Sequence, residues 1–341
     1  MRRNGKHLSP EERATIINAL SGNDNAAAVA RELGIRRCTV SKLAREMRAE
    51  QEKPITLPKF VLEGDETEDV AELIARRRKA FERKAKAAEA RRWFEIGMRE
   101  TKPYGILWFG DPHLDNDGCH WPLLERHIAV ARQPGVYGAN VGDTTDNWPW
   151  TGRLAKLWAE KDISDKSARA LAEWFMFDAG VKWLVWLLGN HDTWNGGGDF
   201  YKRLGAHAVP VVDWRAQFIL SHPSGLYTRI DAAHGRKGTS IYNPSHGTIR
   251  AAKFGETADL FVTGHIHSFG LTHFEDADRR HTSWLAQVRG YKFHDDYALV
   301  NGFSEYQNGA GVLSVIDPNT GRVTCFADPE EGAEWLAWRR R

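Results

Sequence analysis

Cysteine is scarce: the 341 residues hold three, at Cys38, Cys119 and Cys325. They lie far apart and show no zinc spacing, so neither a disulfide framework nor a structural zinc site is expected, and a reducing compartment is. Long apolar runs are missing as well. None approaches the roughly 18 residues of a membrane-spanning helix. The longest, Val181 to Leu188, is interrupted by Lys182 and has the length of a strand. Met1-Arg2-Arg3 is not followed by an apolar segment, so no signal peptide is read and a cytoplasmic protein without a membrane partner is expected. An excess of one charge sign is also lacking: 47 Lys and Arg face 45 Asp and Glu, for a net charge of +2. No internal repeat is found. What is present is ordinary globular material, 42% hydrophobic, in a chain longer than one common domain.

The charges are unevenly placed. Ser9-Pro10-Glu11-Glu12 is a helix start, with Ser9 as cap, Pro10 at the first position and Glu12 closing a capping box. Ile16, Ile17 and Leu20 give that helix one apolar face. Asn23-Asp24-Asn25 breaks the chain and caps a second helix, Ala26 to Leu33, which Gly34 ends in a left-handed turn. Val40, Leu43 and Met47 then recur at helical spacing. Three short helices with a Gly turn before a basic third one resemble a helix-turn-helix domain. That resemblance makes DNA the expected partner, with Arg36, Arg37, Thr39 and Lys42 toward the major groove and Arg45 and Arg48 nearer phosphates. A helical bundle with a solvated basic face, or a protein-docking module, is the plainer alternative.

Pro54, Pro58 and Gly64 mark residues 51–65 as linker. From Thr67 to Ile96 no Gly or Pro intervenes, which predicts one long helix ended by Gly97, acidic at its start and basic in its later part. Its basic half is either a solvated spacer or a track for a nucleic-acid backbone.

Five short polar clusters each follow an apolar run that reads as a strand. They are Asp111-Pro112-His113, Gly142-Asp143-Thr144-Thr145-Asp146, Gly189-Asn190-His191-Asp192, His234-Gly235 and Gly264-His265-Ile266-His267. Carboxyl ends of strands are where α/β folds bind ligands. A mixed oxygen and imidazole set suits Mn, Fe, Zn or Ni rather than Ca. Glycines before Asp143, Asn190 and His265 point to tight turns of the backbone.

In this order the clusters resemble the signature of the calcineurin-like metallophosphoesterases, over roughly residues 104 to 327. The resemblance implies a four-layer α-β-β-α sandwich, a fold of the α/β class, and a pair of divalent ions, manganese first. It implies that Asp111, His113, Asp143 and His267 hold one ion and Asp143, Asn190, His234 and His265 the other, with Asp143 bridging. A hydroxide between the ions would attack phosphorus. His191 would protonate the leaving oxygen, and Asp146 would orient His191 by a hydrogen bond. Asp192 is read as support for its loop. Asn147 rather than Arg after Asp146, and Asp192 rather than Glu, argue against the protein Ser/Thr phosphatase branch. The lack of Tyr in the second cluster argues against the purple acid phosphatases. The pattern stands closest to the nucleases and broad phosphodiesterases of that superfamily, and the fusion with a helix-turn-helix resembles proteins of bacteria and phages.

Trp148, Trp150, Trp194 and Trp121 follow these clusters and are candidates for stacking on bases. Arg236 and Lys237 are candidates for a flanking phosphate, with simple solvation as the alternative. Leu114 to Gly118 looks like a calcium loop but lacks the remaining ligands. Strands are expected over 283–288 and 312–326, with a hairpin turn at Asp317 to Gly321, then a tail that is a short helix or disorder. The expected division is 1–50, 51–100, 101–329 and 330–341. The leading reading is a metal-dependent phosphodiesterase or nuclease acting on DNA. A small-nucleotide phosphatase tethered by the N-terminal domain, and a DNA-binding adaptor with a vestigial metal site, stay open.

Overall fold

The computed structural model describes residues 8–23, 25–51, 69–90, 93–240, 242–294 and 309–341, with the side chains of 51 and 87–90 excepted. The chain forms two compact units, divided between Ala75 and Arg76.

The first unit holds α1 (Pro10–Gly22), α2 (Ala26–Glu32) and α3 (Arg37–Gln51), and the start of α4 (Val70–Ala90). The capping box forms as the sequence predicts. Glu12 N–H donates to Ser9 Oγ at 3.1 Å, and Ser9 N–H donates to Glu12 Oε2 at 2.9 Å. Asn25 Oδ1 caps α2, and Gly34 adopts φ 65°. Ile16, Leu20, Val29, Ala30, Val40 and Leu43 close a small core, so the apolar spacing of each helix has one common target. Arg36, Arg37, Lys42 and Arg45 are exposed and Thr39 is half-buried. The linker reading over 52–65 lies outside the described residues.

The long helix expected over 67–96 is corrected. α4 extends to Ala90, and β1 (Phe94–Gly97) follows. Lack of Gly and Pro permits a helix but does not require one. Here Phe94 and Ile96 alternate with exposed residues, and Phe94 stacks on Phe218 with centroids 5.5 Å apart.

The second unit carries two six-stranded mixed sheets. Its further strands are β2 (Tyr104–Phe109), β3 (Val136–Asn140), β4 (Trp183–Leu188), β5 (Val211–Asp213), β6 (Arg215–Ser221) and β7 (Tyr227–Ala233), then β8 (Leu260–Thr263), β9 (Gly270–Asp276), β10 (His281–Gln287), β11 (Gly311–Ile316) and β12 (Val323–Phe326). Its helices are α5 (Trp121–Ala131), α6 (Ala155–Glu160), α7 (Asp165–Glu173), α8 (Asn190–Thr193), α9 (Gly198–Tyr201), α10 (His246–Phe254) and α11 (Pro329–Arg339). Sheet I runs β1-β6-β7-β8-β10-β9 and sheet II runs β12-β11-β2-β3-β4-β5. In sheet II the neighbours β2, β3, β4 and β5 are parallel. In sheet I, β7, β8 and β10 are parallel.

Alternation along β2 sorts its side chains between two cores. Ile106 and Trp108 face the other sheet, where Phe218, Ile230, Leu260 and Val262 meet them. Leu107 and Phe109 face the opposite way, onto Leu124 and Ile128 of α5 and Leu336 of α11. On the far side of sheet I, Phe261 and Leu285 pack with Ala252 of α10. The arrangement is consistent with a sandwich. Each large side chain so buried contributes about 1.5–3 kcal/mol. The end of the chain is the helix α11, capped by Asp328 through the N–H groups of Glu330 and Glu331.

Candidate metal centre

Parallel β2, β3 and β4 of sheet II, and parallel β7 and β8 of sheet I, end at one common edge. Each hands its polar cluster to that edge, so residues far apart in sequence meet there. One ligand atom from each of His113, Asp143 and His191 lies within 4.8 Å of the others, and the same holds for Asp143, His234 and His265. Asp143 belongs to both groups.

The second group is the tighter. His234 Nε2 is 3.1 Å from Asp143 Oδ2, 3.1 Å from Asn190 Oδ1 and 3.0 Å from His265 Nδ1. Its other nitrogen, Nδ1, is 2.9 Å from the carbonyl of Val141, which fixes the ring. Burial would lower the pKa of His234, but Asp143 and Asp111 beside it raise it to about 9. A single proton on Nε2 can serve one of its three neighbours. A cation among the four atoms would satisfy all of them, and the oxygen and imidazole mixture suits a transition metal.

The first group is built around His113. His113 Nδ1 comes within 2.7 Å of Asp146 Oδ1, yet both ring nitrogens and that oxygen lack an aligned hydrogen-bond partner. Asp111 Oδ1 is another buried orphan, 3.4 Å from His234 Nδ1, while Oδ2 accepts from His265 N–H at 2.6 Å. Orphaned buried polar atoms are rare, and their concentration here fits the binding of cations. Burial raises Asp111 to about 7, opposed by His234. Burial would also raise Asp143, but His234 and His191 hold its carboxyl below the usual range. His267 sets its ring 5.1 Å from that of His113. Among the described residues, neither Asp111 nor His267 falls within the two 4.8 Å groups.

Asp146 meets His191 differently from the sequence reading. Its main-chain carbonyl, not its carboxylate, receives the hydrogen bond from His191 Nδ1. The carboxylate accepts instead from Asn116 Nδ2 at 2.6 Å and Trp148 Nε1 at 3.1 Å, and Lys292 Nζ stands 3.7 Å away. A carbonyl can fix the imidazole tautomer as well as a carboxylate can, leaving Nε2 to face the centre, 3.9 Å from Asp143 Oδ2. Burial pushes His191 down to about 4.

The backbone at this edge is strained. Asp111, His113, Asp143, His265 and His267 all have positive φ, as do Asn147, Asn195 and Trp214. Two glycines answer to crowding. A Cβ on Gly142, at φ 109°, would lie 2.6 Å from His234 Nδ1, and one on Gly189 would lie 2.1 Å from Asp143 Oδ1. Gly189 itself has φ −91°, so it is required by close approach and not by a turn.

Several residues around the centre do more than the sequence alone predicts. Asp192 was expected to support its own loop, and its carboxylate in fact ties two loops together, accepting from Asp143, Gly189 and Thr144 N–H at 2.7, 2.8 and 3.0 Å. Asn147 donates to the carbonyls of His191 and Trp194. Asp115, in the segment that resembled a calcium loop, accepts from Asp146 N–H at 2.7 Å. Lys292 is buried, in a segment that makes an isolated antiparallel bridge with Cys119. A lysine beyond the last cluster carried no signal of this.

The candidate substrate contacts divide. Trp148 and Trp194 flank His191, with centroids 4.7 and 4.2 Å from its ring. Trp121 packs into the core against Trp174, and Trp150 is exposed away from these ring contacts. Arg236 is a correction: its guanidinium is buried on the Asp231 carboxylate at 2.9 Å and on Thr263 Oγ1 at 2.8 Å. A guanidinium engaged in this way has little to offer a phosphate. Lys237 is exposed.

No protein-family model and no curated protein matches the chain. Among solved structures, it aligns with a protein of unknown function from Aquifex aeolicus at 18% identity, over 48% of this chain and 80% of that one, with a TM-score of 0.26. A superposition of that quality carries no argument about activity. No helix among the described residues is long and apolar enough to cross a membrane.

Proposed function

We propose that this protein is a metal-dependent phosphodiesterase of the calcineurin-like kind, with DNA as its substrate. The observation that carries the reading is the meeting of Asp143, Asn190, His234 and His265 at one point, with Asp143 shared by a second buried group. Asp143, Asn190, His234 and His265 would hold one divalent ion. Asp143, His113, Asp111 and His267 would hold another, with manganese the first candidate. Such a pair supplies Lewis acidity toward phosphoryl oxygens.

The chain's own part is to place and move a proton. His191 Nδ1 is engaged by the Asp146 carbonyl, which leaves Nε2 for the leaving oxygen. Burial disfavours its charged form. Trp148 and Trp194 wall this side and offer faces to a base or sugar. The choice of DNA is supported by the exposed Arg36, Arg37, Lys42 and Arg45 of the three-helix unit.

The test is hydrolysis of bis-p-nitrophenyl phosphate and of labelled single- and double-stranded DNA by manganese-loaded protein. Asp143→Ala should lose both bound metal and activity. His191→Asn should keep the metal and lose turnover by about 10²–10⁴-fold, the worth of a general acid. Metal-binding protein that cleaves the small diester but no DNA would move the substrate to small nucleotides. No stoichiometric metal would sink the enzymatic reading.

A further inference from the structure

A cleft of about 380 Å³ opens beside the metal centre, bordered by Trp214, Gly235, Lys237, Arg250 and Phe254. That volume falls within the usual range for a small-ligand site. Trp214 links it to the ligands: its ring lies 5.0 Å from that of His234 and 5.8 Å from that of His265.

Trp214 is held there at a cost. Its φ is 62°, a region that bulky side chains avoid. Three bonds keep it in place. Its N–H donates to Leu188 at 3.0 Å, its carbonyl accepts from His234 N–H at 2.7 Å, and its indole N–H donates to Gly235 at 3.0 Å. The result is an indole that stays 43% exposed while touching the metal ligands. Gly235 makes room for it, since a Cβ there would come within 3.1 Å of the indole. Across the cleft Phe254 is 75% exposed, and the Arg250 guanidinium sits 5.7 Å from its ring centroid. Exposed aromatic faces beside arginine are the platform on which unpaired bases stack.

The charge is one-sided. Arg215 and Arg236 also border the cleft; both bond the Asp231 carboxylate, and Glu256 acts on Arg215 as well. Among the described residues, neither Lys237 nor Arg250 has an ion-pair partner, and no Asp or Glu lines the cleft. A cationic, aromatic cleft next to a phosphate-binding centre selects a ligand with both negative charge and flat rings.

We propose that this cleft is a subsite for a nucleotide of a single-stranded nucleic acid, next to the nucleotide whose phosphate lies at the metal centre. Trp214 and Phe254 stack on bases, and Lys237 and Arg250 hold phosphates. The subsite deepens, and in its placement rests on, the reading of the centre as a phosphodiesterase.

Full-length protein, kept metal-free with chelator so that nothing is cleaved, is irradiated with a short oligothymidylate carrying 5-iodouracil, and the crosslinked peptides are identified by mass spectrometry. Crosslinks to Trp214 or Phe254 are expected. Phe254→Ala should lower the yield and the oligonucleotide affinity roughly tenfold, as expected for one lost stacking contact. Arg250→Glu should weaken binding and flatten its salt dependence by about 0.7 in log–log slope, one phosphate's share on a single strand. Crosslinks confined to Trp148, Trp194 or the three-helix unit overturn the subsite, as does unchanged yield in both variants. So does a change of oligomeric state in Phe254→Ala with unchanged oligonucleotide affinity, which would mean that a second copy covers this face. Wild-type protein that fails to hydrolyse a diester, yet shows the crosslinks, refutes the enzymatic reading and leaves the subsite standing.

Discussion

Histidines in this chain divide by what surrounds them. Those at the centre sit among carboxylates, whereas His127 on α5 is buried in the core of sheet II with its Nδ1 2.7 Å from the Tyr291 hydroxyl. Burial, helped by Arg126, lowers its pKa from 6.5 to about 4. The sign of the consequence follows from linkage. His127 is neutral in the folded protein and takes up a proton more readily when unfolded. Its contribution is therefore complete above pH 6.5, erodes as pH falls, and is gone below about pH 4. A shift of this size corresponds to ~3 kcal/mol. His127→Gln should flatten the fall of urea-unfolding stability between those limits relative to wild type. An identical pH profile in the variant would show that the ring is solvated in the native state.

At the scale of elements, what matters is how closely the loops after β3, β4 and β7 approach one another. Gly189 is the narrowest point, because an added methyl would strike both the Asp143 carboxylate and His234 Cε1 at 2.7 Å. Gly189→Ala should therefore destabilise the fold by about 1–3 kcal/mol, as overpacking does. It should also lower metal affinity by 10- to 100-fold or about that order, the usual result of displacing a ligand's support. Metal content after gel filtration, together with a thermal melt, checks both. Unchanged metal content would mean that the ligands do not need this spacing. The same elements show what could be read in advance. β2, β4 and β8 are unbroken apolar runs, so the polar clusters at their ends stood out. β6 and β9 went unread because their faces are mixed: Arg215 and Gln217 point to Asp231 on β7, a partner that only the sheet supplies. Trp214 and Lys292 were hidden for a related reason. Each gains its role from a neighbour brought by the fold, Trp214 from His234 and Lys292 from Asp146.

At the scale of the molecule, the chain joins two units with different physical resources. The larger has a core that can hold buried, strained ligands in register. The smaller has a core of a few aliphatic residues, which fixes three helices and the cations they expose. If the exposed cations engage phosphates, the affinity of the whole protein for duplex DNA should fall steeply with salt, by about 0.9 in log–log slope for each contact. Arg37→Glu combined with Lys42→Glu should flatten that slope by about 1.8, two such contacts, while metal content stays at the wild-type value. Affinity measured by fluorescence anisotropy across a salt series decides the matter. A slope that is unchanged by those two substitutions but falls on replacing Arg76, Arg77 and Arg78 would shift DNA binding from the three-helix unit to the exposed basic face of α4.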